Sequence, residues 1–154
     1  MVAVTIQNEQ KRLSLKSRQI LQLTRHILRY VRLTQGSLAI VFVTQQKMQS
    51  LNRQYRHRHY ATDVLAFDLR EQKSANEITA DIIISTDAVI KNAKIYKNFL
   101  SQELALYIIH GILHLCGYDD HRFLKKQQMR GQEKKVLNQC RSLIPNLAYP
   151  KKLL

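Results

Sequence analysis

Ile108-Ile109-His110-Gly111-Ile112-Leu113-His114-Leu115-Cys116-Gly117-Tyr118-Asp119-Asp120-His121 reads as an apolar helix that stops at a glycine and turns back on itself. Ile108, Ile109, Ile112, Leu113 and Leu115 keep helical periodicity, so His110 and His114 project from one face about one turn apart. Two imidazoles in that register can share one ion. Gly117 tolerates a left-handed backbone and predicts the helix stop, and the returning loop offers Asp120 and His121 as candidates for a third ligand. A Zn²⁺ held by three protein ligands keeps a fourth position for water, whose pKa falls from ~15.7 to roughly 7. Cys116, two residues past His114, points to the opposite side of the helix and reads as core. Gly111 stands where H-E-x-x-H peptidases carry a general base, which disfavours ordinary peptidase chemistry.

Outward from this stretch, residues 100–116 are predicted as the ligand-bearing helix, preceded by a helix over 86–97. A third helix over 122–142 carries apolar Leu124, Met129, Val136 and Leu137 among basic faces. Toward the N-terminus, residues 2–6 alternate like a strand, and residues 14–32 place Leu15, Ile20, Leu23, Ile27, Leu28 and Val31 at roughly helical spacing, with Ser14 or a neighbour starting that helix. Gly36 and Ser37 mark a turn before residues 38–43, a buried strand in composition, and a short helix over about 45–54 follows. Residues 63–68 and 81–85 read as two more strands, separated by a polar loop or hairpin over 70–79. Pro145 and Pro150 predict an irregular basic tail over about 145–154. Strands and helices are interspersed without strict βα alternation. The expected fold is therefore α+β, one domain over residues 1–154, with a small mixed sheet, helices packed against it and the metal site at a helix end.

The chain has 154 residues, enough for one domain to build a core without disulfides. Lys and Arg total 25 against 11 Asp and Glu, a net charge of +14. The basic residues cluster over 11–32, 53–58 and 125–135. Such an excess suits a polyanionic partner, with salt-dependent phosphate contacts supplying non-specific affinity. Cys116 and Cys140 lack metal or disulfide spacing and read as free thiols of a reducing compartment. No stretch has signal-peptide or membrane-spanning character, so the expectation is a cytoplasmic protein without membrane contact.

A second chemical cluster lies over residues 51–63, where Arg53, Arg56 and Arg58 mingle with His57, His59, Tyr55 and Tyr60. Arginine binds phosphate in a bidentate manner and keeps its charge, which makes these three the candidate phosphate grip and suits an arginine here to stabilising charge that develops on a phosphoryl oxygen during cleavage. Tyr55 or Tyr60 offers a surface on which an unpaired base could stack. Glu103, seven residues before His110 on the same helical face, is a candidate for orienting an imidazole, with a surface role as the alternative.

Together the two clusters make the chain resemble the YbeY family of metal-dependent endoribonucleases. The resemblance is carried by Leu51-Asn52 with Tyr55-Arg56, by Thr62-Asp63-Val64-Leu65-Ala66-Phe67, by Asp81-Ile82, and by His110 through Asp119. It implies a single α+β domain, one zinc ion held by three ligands, an arginine important for RNA cleavage that matches Arg56, and work in ribosome quality control and ribosomal RNA maturation, including 16S rRNA 3′-end processing. The family usually places a third histidine directly after Gly-Tyr-Asp. Here that place is Asp120, and a histidine follows one position later at His121. Ala61, Asp68 and Ala80 likewise stand where the family often has Pro, Pro and Gly. The leading expectation is a zinc-dependent endoribonuclease that prefers single strands, with His110, His114 and Asp120 (alternatively His121) as ligands, and His114 and Arg56 essential to cleavage. The competing readings are a non-catalytic ribosome-associated RNA-binding factor with structural zinc, and a metal-dependent hydrolase of a peptide or small molecule; the expected partner is RNA, ribosomal RNA or the ribosomal small subunit.

Overall fold

Gln35–Val43 (β3) and Glu77–Ser85 (β5) are the two longest strands, and they lie side by side at the centre of a four-stranded sheet ordered β1-β3-β5-β4. The computed structural model describes residues 1–56 and 62–151, apart from the side chain of Arg56. Ala3–Glu9 (β1) runs parallel to β3, β3 parallel to β5, and Val64–Asp68 (β4) antiparallel to β5. The fold is α+β with a mixed sheet, as expected. Residues 63–85 form a hairpin, with Leu65 opposite Ile83 and Phe67 opposite Asp81.

Alternation along the central strands divides the core between the two faces of the sheet. Ile82 and Ile84 join the large cluster with Ile40 and Phe42, covered by Ser17–Tyr30 (α1) through Ile20, Leu23, Ile27 and Leu28 and by Leu100–Leu115 (α4). Val41 and Ile83 face the other way, onto a smaller cluster of Val43, Leu65 and Met48 from Gln45–Arg56 (α2). Helix α4 is buried nearly all round, between the sheet, Thr86–Ile95 (α3) and Phe123–Gln139 (α5). Gly111 allows this approach. A Cβ there would lie 2.9 Å from Ile82 Cγ2, so the position faces the sheet and carries no side chain toward the histidines.

Several boundaries differ from the periodicity reading. Helix α1 begins at Ser17 because Leu13–Leu15 (β2) is a strand, paired antiparallel with Ala148–Pro150 (β6). The tail expected to be irregular is thus tied down, with Lys16 N–H donating to the Leu147 carbonyl at 2.8 Å and Lys151 N–H to that of Arg12 at 2.9 Å. Pro150 is tolerated at the end of this short ladder. Helix α5 stops at Gln139 and gives way to a 3₁₀ turn at Arg141–Leu143. Cys116, expected in the core, is exposed, because α4 ends at Leu115 and Cys116 is the cap where the chain turns away. Among the described residues no helix is long and apolar enough to cross a membrane.

Candidate metal centre

The end of α4 is built by backbone hydrogen bonds around Gly117, whose φ is +99°. Tyr118 N–H donates to the Leu113 carbonyl at 3.1 Å and Gly117 N–H to that of His114 at 3.0 Å, the paired bonds of a Schellman stop. This reversal carries Asp119, Asp120 and His121 back toward the helix. The Leu115 carbonyl, left over at the helix end, accepts from the Arg70 guanidinium at 3.1 Å. Arg70 also grips Asp68 at 2.7 Å and donates to the Glu77 carbonyl at 2.7 Å, so the hairpin loop props up the helix that bears the histidines.

Both imidazoles are oriented through Nδ1. His114 Nδ1 lies 3.1 Å from the Tyr118 carbonyl, and His110 Nδ1 lies 2.6 Å from Glu133 Oε1 on α5. A carbonyl and a carboxylate only accept, so each Nδ1 carries the hydrogen, and an imidazole in its neutral form then turns an unprotonated Nε2 inward. The two Nε2 atoms are 3.0 Å apart, and Asp120 Oδ2 lies 3.6 Å from that of His110 and 3.8 Å from that of His114. Donors at 2.0–2.1 Å from a tetrahedral zinc stand about 3.3 Å from one another, so the three distances bracket such a site. At 3.0 Å two bare lone pairs repel unless a proton or a metal ion lies between them. Burial holds the His114 pKa below its ordinary value, which favours the neutral ring that a metal requires.

His121 is drawn elsewhere. Its backbone N–H donates to Asp119 Oδ1 at 2.9 Å, and its exposed ring has Nε2 3.7 Å from the same oxygen. That hydrogen bond also lowers the Asp119 pKa. Asp119, Asp120 and His121 do form a second, more exposed set of converging donor groups. The set His110, His114 and Asp120 is the more enclosed of the two.

Glu103 is neither a surface residue nor the partner of an imidazole. It is 4 % exposed and accepts from Asn98 Nδ2 at 2.6 Å, and the carboxylate at His110 is Glu133. Sequence reasoning missed Glu133, although a signal was present. It is the single acidic residue of α5, and it falls between buried Met129 and Val136 on the apolar stripe of an otherwise basic helix.

Of the second cluster, Arg53 is exposed on α2, and Arg56 closes that helix. His57, Arg58, His59, Tyr60 and Ala61 lie outside the described residues. Tyr55, a candidate for base stacking, packs edge-on against Phe67 with centroids 5.7 Å apart and is still 57 % exposed.

Comparison with known proteins places these features in one group. A sequence model of the family described as Endoribonuclease YbeY matches residues 5–141. The Endoribonuclease YbeY of Carboxydothermus hydrogenoformans is 37% identical over 103 residues, covering 67% of this chain and 71% of the relative. That of Syntrophus aciditrophicus is 33% identical over 121 residues, 77% and 76% of the two chains, and that of Alkaliphilus metalliredigens 29% over 147 residues, 90% and 95%. A Thermotoga maritima protein solved in solution superimposes with a TM-score of 0.58 at 25% identity, covering 92% of this chain and 93% of the other.

Proposed function

The chain belongs to the Endoribonuclease YbeY family, and from that membership we propose that it cuts single-stranded RNA at a zinc centre held by His110, His114 and Asp120. As a member it is a metal-dependent endoribonuclease. Its cellular work, on this proposal, is ribosomal RNA maturation, including the 3′ end of 16S rRNA, and ribosome quality control at the small subunit in the cytoplasm, with residues 1–154 acting as one catalytic domain.

The observation that carries the proposal is the convergence of two inward-facing Nε2 atoms and one carboxylate oxygen within 3.8 Å of one another. Two imidazoles and a carboxylate form a competent donor set for zinc and leave a coordination position open. A bound ion supplies Lewis-acid polarisation of a phosphoryl oxygen and lowers the pKa of water. The rest falls to the chain. Glu133 and the Tyr118 carbonyl hold the rings in register, Arg53 and Arg58 grip flanking phosphates, and Arg56 stabilises negative charge that grows on the phosphoryl group.

The test is cleavage of a single-stranded RNA by nuclease-free preparations of wild type, His114→Ala and Arg56→Glu. Wild type is expected to cut and to stop on addition of a chelator, with both variants slowed by at least about 100-fold. Equal cleavage by all three would sink the assignment.

A further inference from the structure

We propose that the cleft beside His110 and Asp120 is a nucleobase pocket that selects bases carrying an exocyclic amino group, read by Asp63 with Asn92 and stacked on Tyr96. The proposal rests on the endoribonuclease reading, because the ligand is the nucleoside next to the phosphate being cut. The cleft encloses about 530 Å³, and His110, Asp120 and Glu133 form part of its lining. That volume falls within the ~300–1,000 Å³ of small-molecule sites.

Beside the metal cluster, the cleft is walled by a fixed polar network. Asp63 is pinned to the sheet edge where its carbonyl accepts from Ser85 N–H at 3.0 Å. Its Oδ2 accepts from Asn92 Nδ2 at 3.1 Å and from the Tyr107 hydroxyl at 3.3 Å, and Asn92 also meets that hydroxyl. Burial raises the Tyr107 phenol, so it remains a donor and holds the carboxylate in place. This network engages one oxygen of Asp63. Among the described residues Asp63 Oδ1 and Asn92 Oδ1 have no partner. Deeper in the cleft, Glu103 is 4 % exposed and has one oxygen occupied by Asn98, while its other oxygen has no partner among the described residues.

What the free oxygens of Asp63, Asn92 and Glu103 offer a ligand is therefore acceptors. An ionised carboxylate cannot donate, so it welcomes the amino group of cytosine, adenine or guanine. Uracil instead presents two carbonyls flanking a single N–H, which brings acceptor against acceptor. The same carboxylates disfavour a phosphate inside the cleft and leave phosphates to the metal and the arginines. Tyr96, 66 % exposed on the rim, supplies a ring face on which any base can stack.

Mononucleotides test this without cleavage, since they contain no internal phosphodiester. Zinc-loaded protein is titrated with CMP, AMP, UMP and 2′-deoxy-CMP, with binding read by ¹⁵N chemical-shift changes. Phosphate contacts are common to all four and cancel in the ratios. CMP, 2′-deoxy-CMP and AMP are expected to bind roughly tenfold tighter than UMP, the size of one charge-assisted hydrogen bond. Asp63→Asn keeps an oxygen for Asn92 and Tyr107 but turns the free oxygen into a donor, and it should bring the ratio near one. Tyr96→Ala, at an exposed rim position, should weaken all four alike. Equal binding of CMP and UMP, loss of binding on removal of the 2′-hydroxyl, or an unchanged preference in Asp63→Asn overturns the pocket. A protein that cuts RNA but lacks the preference fails this inference alone, whereas one that cuts no RNA fails the endoribonuclease reading.

Discussion

Glu133 Oε1 stands 2.6 Å from His110 Nδ1, across the packed faces of α4 and α5. A carboxylate behind a ligand imidazole fixes its tautomer, aims Nε2 and raises its basicity, and losing such a partner costs about 10–100-fold in metal affinity. Glu133→Ala is expected to show a loss of that size in competition with a chromophoric chelator. Glu133→Gln should lose less, because its amide oxygen still accepts from Nδ1–H. Unchanged zinc affinity in Glu133→Ala would reduce the pair to a packing contact.

The third ligand is open to direct test. Asp120→Ala should fail to retain one zinc per chain after dialysis, measured by elemental analysis, whereas His121→Ala should retain it. The reverse pattern would make His121 the third ligand in place of Asp120.

Gly111 makes a separate prediction about packing. Gly111→Ala drives a methyl group to 2.9 Å from buried Ile82, and overpacking of this kind costs about 1–3 kcal/mol. Thermal unfolding should report a lower Tm. Gly111→Glu should give no peptidase activity even where it folds, because the position faces the sheet.

Acid should loosen the prop beneath α4. The hydrogen bond from Arg70 lowers the Asp68 pKa from 3.8 to about 2. A depressed carboxylate stabilises the fold above its unfolded pKa, and that contribution fades as pH falls through the folded value, here between about pH 4 and pH 2. Asp68 is exposed, so solvent screening leaves at most on the order of 1 kcal/mol. Denaturant melts of Asp68→Asn should show a flatter stability profile than wild type across that window. Parallel profiles would mean that the pair contributes nothing.

The helical face shared by His110 and His114 was legible because side-chain direction in a helix follows from spacing alone. The stop at Gly117 was legible for a similar reason, since a left-handed residue is a local requirement that glycine meets. The two central strands showed themselves as apolar runs. The start of α1 was misread because the competitor for residues 13–15 is a partner more than 130 residues away, β6, which periodicity cannot see. Cys116 was misread for a related reason, as burial depends on where a helix leaves its neighbours.

By itself the sequence determined the mixed α+β class, the histidine pair on one helical face, the returning loop that carries Asp120 and His121, and the arginine cluster, all of which follow from local geometry or residue chemistry. Only the tertiary structure decided which loop residue meets the histidines, that Glu133 rather than Glu103 stands behind His110, that Arg70 props the helix end, and that Gly111 serves packing against Ile82. Each of these depends on distances between elements remote in the chain. Such distances are set by how helices settle on a sheet, and residue spacing does not encode them.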